Sequence, residues 1–262
     1  MVKGYQLNRN KIFLTPKPSA SPKIRLFCFP FAGGSAATYL PWVESFGKEV
    51  ELVFFQPPGR AYRISEPPHD DMDSLVDELM EHASYITRIP YVVFGHSLGS
   101  RVAYELICRL QSLGLPLPKY FIASGSRAPH LPNEKEPICD LPHNKFVLEL
   151  ERLSGTPKEI LSNSELLELL TPALRADFRI AETYQAKATT IQTPMLVLHG
   201  EDDNDIKSEQ VTAWSELSQH ETTITYLPGD HFFINHYRTL TIEKVQAVLN
   251  KVLNINETVH SN

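Results

Sequence analysis

Six short, near-continuous apolar runs punctuate the chain: Ile24 to Phe29, Val50 to Phe55, Tyr91 to Gly95, Tyr120 to Ser124, Met195 to His199 and Thr223 to Leu227. A strand that alternates apolar and polar residues covers one face, whereas an uninterrupted run needs burial on both, the situation of a parallel sheet. Between several of these runs lie helical patterns, the clearest being Met72, Leu75, Val76, Leu79, Met80, Ala83 and Ile86, spaced three and four apart. Others run through Val102, Ala103, Leu106, Ile107 and Leu110, and through Val245, Val248, Leu249 and Val252. Strands alternating with helices imply right-handed crossovers and an α/β fold with a mostly parallel central sheet flanked by helices. Ligands of such sheets belong at the carboxyl ends of the strands.

The 262 residues suit one large α/β domain as well as two small ones. Residues 1–23, with Pro16, Pro18 and Pro22, read as an N-terminal arm. The core is expected over 24–126 and 192–255, with 256–262 as a C-terminal tail. From 127 to 191 the strand rhythm breaks, and amphipathic pieces such as Phe146, Val147, Leu150, Leu153 and Leu166, Leu167, Leu169, Leu170 predict a helical insertion over the sheet. No internal repeat or low-complexity tract is present.

Charge narrows the function classes. With 25 Lys and Arg against 31 Asp and Glu the net charge is −6, so no general attraction to nucleic acid or anionic membrane is expected. The N-terminus has no apolar core of a signal peptide and no run reaches the roughly 18 apolar residues of a membrane span, which predicts a cytoplasmic protein. Three cysteines, Cys28, Cys108 and Cys139, without CxxC or Cys/His ligand spacing read as reduced, mostly buried thiols and predict neither a disulfide framework nor a metal site.

Gly95-His96-Ser97-Leu98-Gly99 follows the run Tyr-Val-Val-Phe and precedes an amphipathic pattern, giving strand, GxSxG, helix. A bare GxSxG arises by chance in about one chain in ten of this length, so its flanks decide the reading. A glycine-rich turn with a capping serine would explain the five residues alone; the strand and helix favour a sharp turn that lifts Ser97 out as a nucleophile. A serine hydroxyl needs a base, and the base an acid that fixes its tautomer and stabilises its cation. In this fold they follow in the order Ser, Asp, His. His231 is the strongest base candidate of ten histidines, because it sits in the loop Pro228-Gly229-Asp230-His231 between the last strand and the last helix. His236, His199 and His96 are weaker alternatives. For the acid, Asp203 in Gly200-Glu201-Asp202-Asp203 is favoured over Asp202 and Asp205, for which solvated loop carboxylates are the plain reading.

Acyl transfer also needs two backbone donors for the developing oxyanion, each worth about 3 kcal/mol. The amide of Leu98 follows the nucleophile directly. The loop Phe29-Pro30-Phe31-Ala32-Gly33-Gly34-Ser35 permits close backbone approach, and the amide of Ala32 is chosen as the second donor. A dinucleotide site is the other use of such a loop, but GxGxxG spacing and an acidic ribose ligand are both missing.

These stretches resemble type II thioesterases, the stand-alone α/β-hydrolases that accompany nonribosomal peptide and polyketide synthases. The likeness is carried by Phe29 to Ser35 with Tyr39, Pro41 and Trp42; by Gln56-Pro57-Pro58-Gly59-Arg60 with Arg63; by Gly95 to Gly99 with Ala103, Tyr104 and Glu105; by Gly200 to Asp203; and by Gly229-Asp230-His231-Phe232-Phe233. It spans about Ile24 to Leu253. Departures are Leu98 where such enzymes often have Met, Pro57 where Leu is usual, and Asn204 where Pro commonly follows the acid, so Asp202 stays open beside Asp203.

The resemblance implies hydrolysis of acyl thioesters from the phosphopantetheine arm of acyl or peptidyl carrier domains, with Ser97, Asp203 and His231 as triad and Ala32 with Leu98 as oxyanion amides. It further implies no cofactor, a monomer, and an insertion acting as a lid. Arg60 and Arg63 have two readings, contact with an acidic carrier surface or phosphate, and internal salt bridges, of which the second is favoured. Alternatives are a medium-chain thioesterase of fatty-acid synthesis, a general carboxylesterase or lipase, and a non-catalytic carrier-protein adaptor, against which the intact Ser, Asp and His argue.

Overall fold

The computed structural model describes residues 8–260, with side chains for residues 10–254. In chain order the strands are β1 (Asn8–Arg9), β2 (Phe13–Thr15), β3 (Ile24–Phe29), β4 (Val50–Phe55), β5 (Tyr91–His96), β6 (Tyr120–Ser124), β7 (Met195–Gly200) and β8 (Thr222–Leu227). The α-helices are α1 (Met72–Glu81), α2 (Ala83–Ile86), α3 (Leu98–Ser112), α4 (His143–Leu153), α5 (Lys158–Leu161), α6 (Ser164–Thr183), α7 (Ser208–Thr212), α8 (Phe233–His236) and α9 (Arg238–His260).

One sheet runs in the order β1-β2-β4-β3-β5-β6-β7-β8. Every pairing from β4 to β8 is parallel, so the expected α/β architecture of a mostly parallel sheet with helices on both faces is what forms. The continuous apolar runs explain this. All six residues of β3 and of β5 are buried, and successive residues serve opposite faces. Phe27, Val93, Phe121 and Val197 join a cluster with α1 and α3. Leu26, Phe94, Ile122 and Leu198 join another with Trp42 and α9.

Two ends differ from the sequence reading. Within the supposed N-terminal arm, β2 pairs antiparallel with β4, Phe13 opposite Phe55, and Ile12 and Phe13 are fully buried. Phe13 packs edge-on to Phe27 and Phe55. Three apolar residues between Lys11 and Pro16 are too short for a periodic signal, and only the exposed edge of β4 makes them a strand. The remainder of that arm, residues 1–7, lies outside the described residues. At the other end α9 runs on to His260 through most of what reads as a tail, and residues 261–262 lie outside the described residues.

Between β6 and β7 the chain forms no named strand but carries α4, α5 and α6. Asn163 caps α6, accepting from the Leu166 amide at 3.1 Å. The amphipathic leucines divide: Leu150, Leu167 and Leu174 gather with Phe146 into a small apolar cluster, whereas Leu148 and Leu169 are 62% and 56% exposed.

Candidate active site

β5 ends at His96, and Ser97 takes φ 55° and ψ −117° as the residue before α3. Such a conformation costs a non-glycine residue about 1–3 kcal/mol and persists only where the surroundings enforce it. Here they do. The Ser97 amide donates to the Ser124 carbonyl at 2.8 Å, and the Ser124 amide donates in turn to the Ser100 hydroxyl at 3.0 Å. A Cβ on Gly95 would sit 2.3 Å from the Gly99 carbonyl oxygen, and one on Gly99 only 2.1 Å from that of Phe29. Both glycines of the motif are therefore required by the close approach of β3, β5 and the start of α3.

Asp203 and His231 come from the loops after β7 and β8, 28 residues apart in sequence, and meet with His231 Nδ1 donating to Asp203 Oδ2 at 2.7 Å. That bond fixes the tautomer and leaves Nε2 as the basic nitrogen. The Asp203 side chain is 1% exposed, and its Oδ1 accepts from the Asp205 amide at 3.1 Å. Burial pushes the Asp203 carboxyl up, but the His231 hydrogen bond and the nearby imidazoles outweigh it and hold it below the usual carboxylate range. Asp202 is exposed, and Asp205 pairs with Lys135 at 2.5 Å. Neither is bonded to His231. His236 is 63% exposed in its side chain, and His199 is buried with Nδ1 4.0 Å from Asp203 Oδ2.

His96, a weaker alternative for the base in the sequence, is not bonded to Asp203 and has a different task. It is fully buried, with Nε2 2.9 Å from the His231 carbonyl oxygen and Nδ1 2.9 Å from the Ser124 hydroxyl. A carbonyl can only accept, so Nε2 carries the proton and Nδ1 accepts. Burial, followed by the charge of His231, pushes His96 well below the ordinary imidazole range and keeps it neutral. The residue thus braces the backbone of the His231 loop from the nucleophile strand. A large polar ring at the second position of GxSxG was the signal available.

Ser97 and His231 line one cavity of about 770 Å³, together with Phe31, Ala32, Phe178 and Arg101. The amides of Ala32 and Leu98 have no acceptor among the described residues, whereas the Gly34 amide donates to the Phe31 carbonyl at 2.8 Å and the Gly33 amide to Asp177 Oδ2 at 2.6 Å. Leu98 opens α3, where a first-turn amide has no intrahelical partner. Among the described residues no cluster of His, Cys, Asp and Glu could hold a metal ion, and the three cysteines are unpaired, with Cys28 and Cys139 buried.

Of the two readings of the arginines, the structure supports salt bridges. Arg60 is 6% exposed and meets Asp177 of α6 at 2.6 Å. Arg63 is 2% exposed, bonded to Glu66 at 2.7 Å, to Glu78 and to the Gln56 carbonyl at 2.9 Å. Two further arginines went unnoticed in the sequence. Arg101, one helical turn beyond Ser97, donates to the Ala181 carbonyl, and Arg127 to those of Leu131 and Tyr184. Arg101 ties the carboxyl end of α6 to α3, and Arg127 holds the residue that follows that end, where cations suit a helix dipole. Burial, and then the charge of Arg127, brings Arg101 down to about 9.

Comparison with known proteins gives one consistent answer. Residues 24–249 match the thioesterase domain family. The gramicidin S biosynthesis protein GrsT of Aneurinibacillus migulanus is 34% identical over 245 residues, covering 93% of this chain and 96% of that protein. The medium-chain S-acyl fatty acid synthase thioesterase of Anas platyrhynchos is 28% identical over 231 residues, 86% of this chain and 91% of that protein. Among solved structures, the type II thioesterase BorB from the borrelidin biosynthetic cluster superposes with a TM-score of 0.84 at 29% identity, covering 92% of this chain and 99% of that one.

Proposed function

Because the chain belongs to the thioesterase domain family, we propose that it is a serine thioesterase of the type II kind, hydrolysing acyl groups from the phosphopantetheine arm of acyl or peptidyl carrier domains. Its task is editing: clearing aberrant or mis-primed acyl groups in nonribosomal peptide or polyketide synthesis. The observation that carries this reading is the 2.7 Å contact of His231 with a buried Asp203, in a cavity that also holds the strained Ser97.

In the proposed reaction Ser97 Oγ attacks the thioester carbonyl while His231 Nε2 takes its proton, and Asp203 stabilises the imidazolium. The amides of Ala32 and Leu98 receive the oxyanion. Collapse of the tetrahedral intermediate breaks the C–S bond, and His231 returns its proton to the departing thiol, whose pKa of about 8.5 makes this step undemanding. Water then attacks the acyl-enzyme, deprotonated by His231, and the free acid leaves as Ser97 regains its proton. No cofactor of the protein's own takes part. The insertion 127–191 serves as a lid over the core of 24–126 and 192–255. The protein acts as a cytoplasmic monomer; among the described residues no helix is long and apolar enough to cross a membrane.

The cavity carries Arg101, Arg127, Glu149 and Glu182 beside its apolar residues, which suits short or polar acyl groups better than a long alkyl chain. The test is acyl release from acetyl-loaded carrier protein, compared with acetyl-CoA, a long-chain acyl carrier and a simple aryl ester, with the Ser97→Ala variant in parallel. Preference for the short acyl carrier, abolished in Ser97→Ala, is expected. Preference for the long chain would replace this reading with the fatty-acid one, and turnover of the aryl ester alone would leave a generic esterase.

A further inference from the structure

The oxyanion loop is held from outside the sheet. Phe31 to Gly34 form a tight turn, closed by the Gly34 amide donating to the Phe31 carbonyl at 2.8 Å, with Gly33 at φ +80° in its third position. This is the type II pattern, which differs from type I by a flip of the central peptide, here Ala32–Gly33. The flip exchanges the directions of the Gly33 N–H and the Ala32 carbonyl. In the observed state the Gly33 amide donates to Asp177 Oδ2 at 2.6 Å. The flipped state would aim the Ala32 carbonyl at that carboxylate instead.

Asp177 lies in α6 of the insertion, 144 residues from Gly33, and is 3% exposed. Arg60 holds the same carboxylate oxygen at 2.6 Å. Arg60 Nε and Nη1 are buried with no hydrogen-bond partner among the described residues, so the guanidinium spends its side-chain bonding on Asp177. A second contact sits beside the first: a Cβ on Gly33 would come 2.6 Å from Leu174 Cδ2, one turn before Asp177. The turn therefore carries the shape of the α6 surface. Ala32, whose amide has no acceptor among the described residues, is the residue just before the fixed amide.

We propose that Asp177, held by Arg60, is a positioning residue that locks the Ala32–Gly33 peptide and with it pins the whole turn to α6, so that the Ala32 amide, carried on the adjoining Phe31–Ala32 peptide, is held in place for the oxyanion. The oxyanion hole is then complete only when α6 is seated on the loop, and seating of the insertion is coupled to the chemistry. This rests on the thioesterase reading above and on Ala32 as donor.

Removing Asp177 alone would strand a buried guanidinium, which proteins tolerate badly, whereas replacing both charges by apolar groups of similar size is often neutral. The experiment therefore compares Arg60→Met/Asp177→Leu, which removes the acceptor, with Arg60→Met/Asp177→Asn, which keeps a neutral one. Readouts are kcat and KM on acyl carrier protein, inhibition by an acyl trifluoromethyl ketone, whose adduct places an oxyanion in the hole, and melting temperature. Losing a whole oxyanion donor costs about 100- to 1,000-fold; a misaimed one should lower kcat about 10- to 100-fold in the Leu variant, with KM within roughly twofold. Ketone affinity should fall by a similar factor, and the Asn variant should recover most of both. If the Leu variant does not fold, Arg60→Met/Asp177→Ala takes its place. Equal kcat in the Leu and Asn variants, or a loss of kcat that follows melting temperature and KM alike, would overturn the proposal. A wild-type protein without thioester turnover, or a Ser97→Ala variant that keeps it, would instead overturn the underlying reading.

Discussion

In the sheet, Phe27, Val93, Phe94 and Phe121 are at most 1% exposed and belong to large clusters on both faces; in the insertion, the cluster of Phe146, Leu150, Leu167 and Leu174 is small and separate. What the insertion lacks in apolar burial it makes up in polar ties. Asp177 binds Arg60 and Gly33, Arg101 reaches Ala181, the Glu182 carboxylate accepts from the Ile138 and Cys139 amides, and the Tyr184 hydroxyl donates to Glu105 at 2.7 Å. Apolar burial is roughly proportional to area and indifferent to direction, whereas hydrogen bonds fix direction. The sheet is built to persist, and the insertion is built to sit in one particular place.

This contrast can be broken at several points. The largest effect belongs to the sheet loops: Asp203→Asn should lower kcat by about 1,000- to 10,000-fold, because His231 loses the partner of its imidazolium. Asp202→Asn, at an exposed neighbour, should leave kcat close to wild type; steady-state kinetics on the acyl carrier distinguishes the two, and the reverse order would move the acid assignment. Next is Phe146→Ala. Its ring is fully buried, edge-on to Phe178 with centroids 5.9 Å apart and under the Arg175 guanidinium. Truncation should cost about 3–5 kcal/mol locally. Hydrogen exchange should quicken in α4 while the amides of β3, β5 and β6 keep their protection; a matching loss in the sheet would show that the two regions unfold as one.

A smaller effect concerns acid stability of the core. Burial pushes the Glu78 carboxyl up, but its hydrogen bonds with His69 and Arg63 outweigh this and bring it from 4.5 down to about 2. A carboxylate with a lowered folded pKa contributes stability above its unfolded pKa and loses it as pH falls through the folded one. Glu78→Gln should therefore destabilise the protein by on the order of 2–3 kcal/mol at neutral pH. The difference from wild type should shrink between pH 4.5 and about 2, as followed by denaturant melts at stepped pH; a constant difference would sink the assignment. Smallest is Leu148→Ser, at a side chain 62% exposed on the insertion, expected to change the melting free energy by less than about 0.5 kcal/mol.

The same contrast explains what the sequence disclosed. Ile24–Phe29 and Val50–Phe55 have the same limits in the structure as in the sequence reading, because both-face burial writes itself into consecutive apolar residues. The turn of Gly95 to Gly99 is equally local: its glycines and serine sit within five residues. Asp203 stood out from Asp202 only weakly, since both follow the same strand, and what separates them is which side chain the β7 loop turns inward. Asp177 was not legible at all. In the sequence it is one more acid on an amphipathic helix, and its partners Gly33 and Arg60 lie 144 and 117 residues away. Likewise Phe13–Thr15 became a strand only through its pairing with β4.

That last pairing bears on how the protein can be handled. β2 covers the outer edge of β4, and β1 in turn pairs with β2 over only two residues. A chain trimmed to begin at Ile24, where the family match starts, would strip the Phe54–Phe55 end of β4 of its antiparallel partner and uncover the packing of Phe13 on Phe55. A bare apolar strand end of this kind recruits strands from other molecules. Such a trimmed protein should collect in the insoluble fraction on expression, while the chain that keeps β1 and β2 stays dispersed.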